Sequence, residues 1–324
     1  MFYFLYKLKF KTPLHVGNDS GSAGLVSSGI TVHSDTLMSA LYIESIRIKR
    51  EDELFSAYES GKIAVSSLFP YCGDELFLPK PVYAYKADVT TSSSENYKLY
   101  KKLQYIPLSM FEEYLASLNG EGTFDAEKAQ ELMKGVARVD TRARVKVNYP
   151  DDNEPYYVGT TTFADSCGLY FITGYESEDE KNLFETLLGQ LSYGGIGGKR
   201  SSGLGKFEVI GKIRLTEEVS EPYKTLYKML CGNYHVFMSI NVSLAKDDEL
   251  DAAADGGYYV LLRRGGFVGS EEYSDTPLKK KLMYAFGEGS CIKTPYKGYI
   301  ADVSQGGNHP VYRFLKPLFV GVEL

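Results

Sequence analysis

Tryptophan is missing from this 324-residue sequence, and cysteine and histidine occur only four times each. Cys72, Cys167, Cys231 and Cys291 stand 95, 64 and 60 residues apart. With no CxxC pair, a zinc ribbon and a thioredoxin-type redox motif are excluded, and the pattern reads as four reduced thiols of an intracellular protein. His15, His33, His235 and His309 form no HExxH or HxH pattern, so neither a metal nor another cofactor is expected. No apolar run approaches the roughly 18 residues of a membrane span. The N-terminal MFYFLYKLKFKTP interleaves lysine with aromatics and lacks a small-residue cleavage site. A soluble cytoplasmic protein without a membrane partner is the expectation. The net charge of −6 counts, at first sight, against a nucleic-acid ligand.

What is present is globular: 44% hydrophobic and 24% charged residues, with length for two domains. Tyr6, Leu8 and Phe10 alternate with Lys7 and Lys9, which predicts a strand. A loop rich in Gly and Ser spans residues 17–29, and Ser34 can cap a helix carrying Leu37, Ala40, Leu41 and Ile48 on one face. Residues 70–107, rich in Pro, Tyr, Ser and Lys, read as an irregular insertion. Ser109 with Glu112 predicts a capping box ahead of Phe111, Tyr114, Leu115 and Leu118, and Asp125 caps a shorter helix ending at Gly135. Ser177 with Glu180 opens a helix burying Leu183, Phe184, Leu187, Leu188 and Leu191; a glycine-rich run ends it, and residues 206–215 resume as a strand. Residues 1–215 are thus compatible with a split βαβ, ferredoxin-like sheet carrying an insertion at about 70–165. After a connecting helix at 222–230, the alternation from Tyr234 to Leu244 predicts a half-buried strand, and residues 216–324 a second, helix-poor α+β domain.

Charge distribution reverses the first impression. Residues 134–146 and 199–214 each carry a net +4, while 247–255 carry −5. Between Gly194 and Gly205 stand Gly195, Gly197, Gly198, Lys199, Arg200, Ser201, Ser202 and Gly203, which offer backbone N–H groups beside fixed positive charge. Neither GxxxxGK[ST] nor GxGxxG is satisfied, so nucleotide hydrolysis is disfavoured. Loops often collect Gly and Ser; the Lys199-Arg200 pair is what points to a polyanion. From Arg138 to Asn148, the even positions Arg138, Arg142, Arg144 and Lys146 place four cations on one strand face, with Asp140 among them, and the small set Val139, Thr141, Ala143, Val145 and Val147 on the other. The turn-rich 149–155 leads into Tyr156–Phe163, predicting a basic hairpin over 138–163. Arg263, Arg264 and Gly265 read equally as a further phosphate contact or an ordinary turn. His33, ahead of a helix, is the best candidate for a general base, though a helix-entry hydrogen bond is the commoner role.

Three stretches together carry a resemblance: residues 8–17 (LKFKTPLHVG), residues 30–37 (ITVHSDTL) and the glycine run 194–205 (GGIGGKRSSGLG). They resemble a RAMP protein of a CRISPR–Cas effector, more narrowly the fourth-subunit family of the type III-A (Csm) complex, which caps the 5′ end of the crRNA. His309–Phe314, Thr162–Asp165 and Arg263–Val268 also fit. The resemblance implies two ferredoxin-like domains, a β-hairpin thumb at 138–163, and binding of the crRNA 5′ handle. It also implies contact with target RNA near the handle–guide junction, and docking against the large polymerase/nuclease subunit and a neighbouring RAMP backbone subunit. It places RNA contacts at His15, His33, Ser34, Asp35 and Thr36, at the thumb cations, at the glycine loop and at Arg263–Gly265, with no catalytic role. A competing expectation is a Cas6-like, metal-independent endoribonuclease that processes pre-crRNA with His33 as base. That class carries its glycine loop near the C-terminus, whereas 119 residues follow Gly205. A purely protein-binding module is a third expectation.

Overall fold

The computed structural model describes residues 1–17, 24–84, 94–147, 152–270 and 272–324. The chain opens with β1 (Phe2–Phe10), followed by helices α1 (Ser34–Arg47) and α2 (Glu51–Glu59). Then come β2 (Ile63–Val65), β3 (Phe69–Cys72), β4 (Glu75–Pro79), α3 (Ser94–Lys102), β5 (Tyr105–Pro107), α4 (Phe111–Leu118) and α5 (Ala126–Met133). A ribbon of β6 (Ala137–Lys146) and β7 (Glu154–Phe163) leads into β8 (Cys167–Tyr175), α6 (Glu178–Gly194) and β9 (Phe207–Leu215). The main sheet runs β5-β4-β3-β8-β1-β9, with β2 added on β8, and its pairings are antiparallel.

Alternation along β1 divides the interior. Phe4, Tyr6 and Leu8 pack against Leu37, Met38 and Leu41 of α1 and the apolar stripe of α6. Leu5 faces the other way, where Tyr170 and Ile172 of β8 meet α4 and α7 (Tyr223–Cys231). With both sheet faces covered, every residue of β8 is buried. The same second core takes in Val236 and Met238 of β10 (Val236–Ser239), so one apolar interior joins the two halves of the chain. The remaining elements are α8 (Asp247–Ala254), β11 (Leu261–Arg264), β12 (Met283–Phe286), β13 (Cys291–Ile292), β14 (Ile300–Asp302), β15 (Tyr312–Phe314) and β16 (Phe319–Val322). β10 lies between β13 and β16, while β11–β12 and β14–β15 form separate ribbons.

The capping box at Ser177 forms as the sequence predicts, with the Ser177 N–H donating to Glu180 at 3.0 Å. Asp125 likewise caps α5, accepting from the Lys128 N–H at 2.9 Å. Other expectations require correction. The Ser109 N–H and hydroxyl both donate to Glu75, so α4 begins at Phe111 without that cap. Ser34 does not cap α1: His33 holds the N-cap position, and the Ser34 hydroxyl accepts from the Val242 N–H at 3.0 Å. The stretch 70–107 is not an irregular insertion, since it includes most of β3, β4, α3 and β5; its residues 85–93 lie outside the described ones. These strands lack a polar–apolar period because both faces are covered. Between 234 and 244 the strand is shorter than predicted and not half-exposed: Ser239, Asn241 and Ser243 are buried, with the Asn241 amide donating to the carbonyls of Val65 and Lys316. Lys7 is buried between the rings of Tyr71 and Tyr223 rather than solvated.

The expectation of four reduced thiols also falls. Cys72 and Cys167 stand directly opposite on β3 and β8 and form a disulfide, while Cys231 and Cys291 are free thiols. Pairing of strands 95 residues apart makes the contact, which linear spacing conceals. Among the described residues, no helix is long and apolar enough to cross a membrane.

Candidate nucleic-acid interface

The ribbon β6–β7 pairs without interruption from Ala137↔Phe163 to Lys146↔Glu154. Its root is fixed because the second edge of β7 is also bonded: the Leu14 N–H donates to Thr161 at 2.8 Å, and the Gly159 N–H to Leu25 at 2.8 Å. Val158, Thr160 and Thr161 are buried there, whereas Glu154, Pro155 and Tyr157 are exposed. Asn148, Tyr149, Pro150 and Asp151 lie outside the described residues. The four cations share a face but differ in availability. Arg138 pairs with Asp140 at 2.8 Å and Lys146 approaches Glu154 at 3.9 Å. Arg142 and Arg144 have no carboxylate partner among the described residues. The opposite face is not packed away: Val139 is 50% and Val145 57% exposed. A cleft of about 400 Å³ at the root is lined by Arg138, Asp140, Arg142 and Thr162.

The glycine loop is tightly bonded rather than open. The N–H groups of Ile196, Gly198, Ser202, Gly203 and Gly205 donate to carbonyls of Gly205, His15, Lys199, Arg200 and Pro13. Glycine is required at 205, where φ is +76° and a Cβ would stand 1.9 Å from the Ile196 carbonyl oxygen. Among the described residues, the N–H groups of Gly197, Lys199, Arg200 and Ser201 take no backbone partner. Lys199 adopts a left-handed conformation and Arg200 follows as the first residue of a 3-10 turn. Successive N–H groups in such a turn point to one side and favour anions.

Loop and ribbon adjoin. The Lys199 ammonium lies 5.1 Å from the Tyr156 ring centroid, and Tyr156 is paired with Arg144. His15 joins the two: its Nδ1 donates to the Gly159 carbonyl at 2.7 Å, and its own carbonyl accepts from the Gly198 N–H at 2.8 Å. His15 is buried, so it spaces these elements rather than offering its ring outward.

The sequence-predicted contacts at the start of α1 form a different structure. Asp35 is fully buried. Arg264 donates to both of its oxygens, Arg313 donates to Oδ2, and Arg264 also reaches the Thr36 hydroxyl. Burial alone would raise the Asp35 carboxyl, but the two guanidiniums hold it well below the usual carboxylate range. His33 Nδ1 donates to Glu288 at 2.7 Å, and Glu288 also accepts from Ser67. Burial would lower the His33 imidazole, yet the Glu288 charge holds it above its ordinary value. Glu288, which burial would raise, is held below its ordinary value by His33. Gly265 accepts from Arg313 through its carbonyl. Ser34 and Asp35 are therefore buried in the seam between the two halves of the chain, and the half-buried Arg264 is engaged there by Asp35. Arg263 alone of its pair remains exposed. Glu288 was not legible in the sequence because its partners His33 and Ser67 lie 255 and 221 residues away, and Arg313, although part of the resembling segment 309–314, gave no sign of its tie to Asp35, 278 residues away. Among the described residues, no group of three or more His, Cys, Asp or Glu side chains could hold a metal ion.

Two family models match this chain: one described as the RAMP superfamily over residues 7–208, the other as the CRISPR Csm4 C-terminal domain over 233–322. The "CRISPR system Cms protein Csm4" of Mycobacterium tuberculosis (strain CDC 1551 / Oshkosh) is 37% identical over 305 residues, covering 93% of each chain. Its namesake from Streptococcus thermophilus is 33% identical over 313 residues, covering 94% of this chain and 95% of that one. Among solved structures, a chain of the Csm3–Csm4 subcomplex of the type III-A CRISPR–Cas interference complex superposes with a TM-score of 0.64 at 20% identity, covering 100% of both chains. A chain of a Csm1–Csm4 cassette with AMPPNP gives 0.59 at 19%, covering 100% of this chain and 99% of that one.

Proposed function

The chain belongs to the RAMP superfamily and, within it, to the Csm4 family of CRISPR effector subunits, and from that footing we propose that it is a non-catalytic, crRNA-binding scaffold of a type III-A complex in antiviral defence. The strand order β9-β1-β8-β3, with α1 following β1 and α6 joining β8 to β9, fits a ferredoxin-like plan for residues 1–215, and residues 216–324 are its degenerate counterpart. Lys199, Arg200 and the unpartnered N–H groups beside them hold phosphates of the 5′ handle. The ribbon β6–β7 is the thumb, meeting guide and target RNA at the handle–guide junction through Arg142 and Arg144. Docking to a large polymerase/nuclease subunit and to a neighbouring RAMP subunit is supported by relatives of the same fold solved with Csm1 and with Csm3.

The observation that carries this reading is the junction of Lys199, Tyr156 and His15, which joins two cationic segments far apart in sequence. The endoribonuclease reading is weakened because the candidate base, His33, is held by Glu288. Reversing both charges, Lys199→Glu with Arg200→Glu, is expected to strip crRNA from the assembled complex; unchanged retention would refute the RNA role of the loop. Incubation with labelled repeat RNA tests the other half. Metal-independent cleavage abolished by His33→Ala would overturn the non-catalytic reading.

A further inference from the structure

Alternation along β11 sends Leu262 and Arg264 inward, the first to a small apolar cluster and the second to Asp35, so Leu261 and Arg263 turn outward. Tyr284 of β12 stands directly opposite Arg263 and is 54% exposed. The ribbon continues past Arg264: Phe267 bridges Lys279, and the Val268 N–H donates to Leu278 at 2.9 Å. Phe267 is 59% exposed, and the Lys279 ammonium lies 5.6 Å from its ring centroid. Leu282 reaches across Gly265, its methyl 3.3 Å from where a Cβ there would stand. Residues 261–267 and 278–284 together contain five cations and no acid. Arg313 holds the Gly265 carbonyl and Arg264 holds Asp35, so the outer face rests on a fixed support.

An exposed ring beside a cation that has no carboxylate partner among the described residues, repeated where Phe267 bridges Lys279 beyond the end of β11, suits an unpaired polynucleotide: bases stack on rings and phosphates meet the charges. We propose that the outer face of this ribbon is a second surface for single-stranded RNA, with Tyr284 and Phe267 stacking on bases and Arg263 and Lys279 meeting phosphates. It extends the RNA-scaffold reading but uses neither the glycine loop nor the thumb.

The test is anisotropy of a fluorescein-labelled oligouridine titrated with the full chain across a salt series. Tyr284→Ala is expected to weaken binding roughly tenfold. Arg263→Ala should lower the slope of log affinity against log salt by about 0.7, and Arg263→Lys should restore it. Both effects should persist when Lys199 and Arg200 are reversed to Glu. Because these side chains are exposed, the variants should melt with the parent. Should affinity and slope be unchanged in Tyr284→Ala, Arg263→Ala and Lys279→Ala, the proposal is overturned and the face is left for a protein partner. Binding lost with the loop variant alone overturns the ribbon but keeps the loop reading. Binding weakened by the ribbon variants alone keeps the ribbon and removes the loop.

Discussion

Arg264 grips both carboxylate oxygens of Asp35, at 2.9 and 2.8 Å, across 229 residues of chain. A buried carboxylate paired with two guanidiniums ties the start of α1 to β11 and β15. Removing the acid leaves two cations facing each other in a dry seam. Asp35→Ala is therefore expected to cost about 3–5 kcal/mol in denaturant unfolding. Arg264→Ala should cost less, because Arg313 still neutralises Asp35. A loss in Asp35→Ala below about 1 kcal/mol, the scale of an exposed pair, would show that the network contributes little.

The His33–Glu288 pair makes the seam sensitive to pH. His33 is held above its ordinary 6.5, so its contribution is full below that value and drains away as pH rises through the raised one. Glu288 is held below its ordinary 4.5, so its contribution is full above that value and is lost as pH falls through the lowered one. Stability attributable to the pair should peak between 4.5 and 6.5 and decline toward alkaline pH. His33→Gln should flatten the alkaline decline of the melting temperature; an identical pH profile would exclude this pair as its source.

Two loop glycines with similar backbone angles should respond differently to alanine. Gly203, at φ +80°, has no atom within 4 Å of the point a Cβ would occupy, so Gly203→Ala should cost only backbone strain of about 1–2 kcal/mol. At Gly205 the methyl would collide with the Ile196 carbonyl, and the loss should be larger and accompanied by weaker RNA binding. Equal melting temperatures for the two variants would contradict the packing described for the loop.

On the ribbon β6–β7, the proposed thumb, Arg142→Ala or Arg144→Ala should each reduce the salt dependence of crRNA binding by about 0.7 in log–log slope. Arg138→Ala should change it little, since Asp140 already offsets that charge. The reverse ranking would mean that RNA displaces Asp140 from Arg138.

Local rules carried much of this molecule. The capping box at Ser177, the apolar stripe of α6 and the one-faced alternation of cations on β6 depend on neighbours a few residues away, and each could be read from the chain. The glycine run was visible too, although its tight internal bonding was not. What escaped reading is long-range. Neither the Cys72–Cys167 pairing nor the burial of Ser239, Asn241 and Ser243 leaves a local trace. Asp35 and Arg264 looked like surface groups because charge in a sequence does not disclose its partner. Fragments bearing the family resemblance, around His33–Asp35, Arg263–Gly265 and Arg313, converge on the seam, so part of that signal records how the halves are joined.

The position of β1 in the sheet has a consequence during synthesis. It pairs with β8 and β9, yet about 160 residues separate it from the first and more than that from the second. At about 5–20 residues per second, a ribosome needs roughly 10–30 s to deliver the nearer partner. Throughout that interval β1, with Phe2, Phe4, Tyr6 and Leu8, lacks both strands that pair with it in the folded chain. Nascent chains of this protein should therefore lean on cellular holding factors early, and slow translation ahead of β8 should lengthen that dependence.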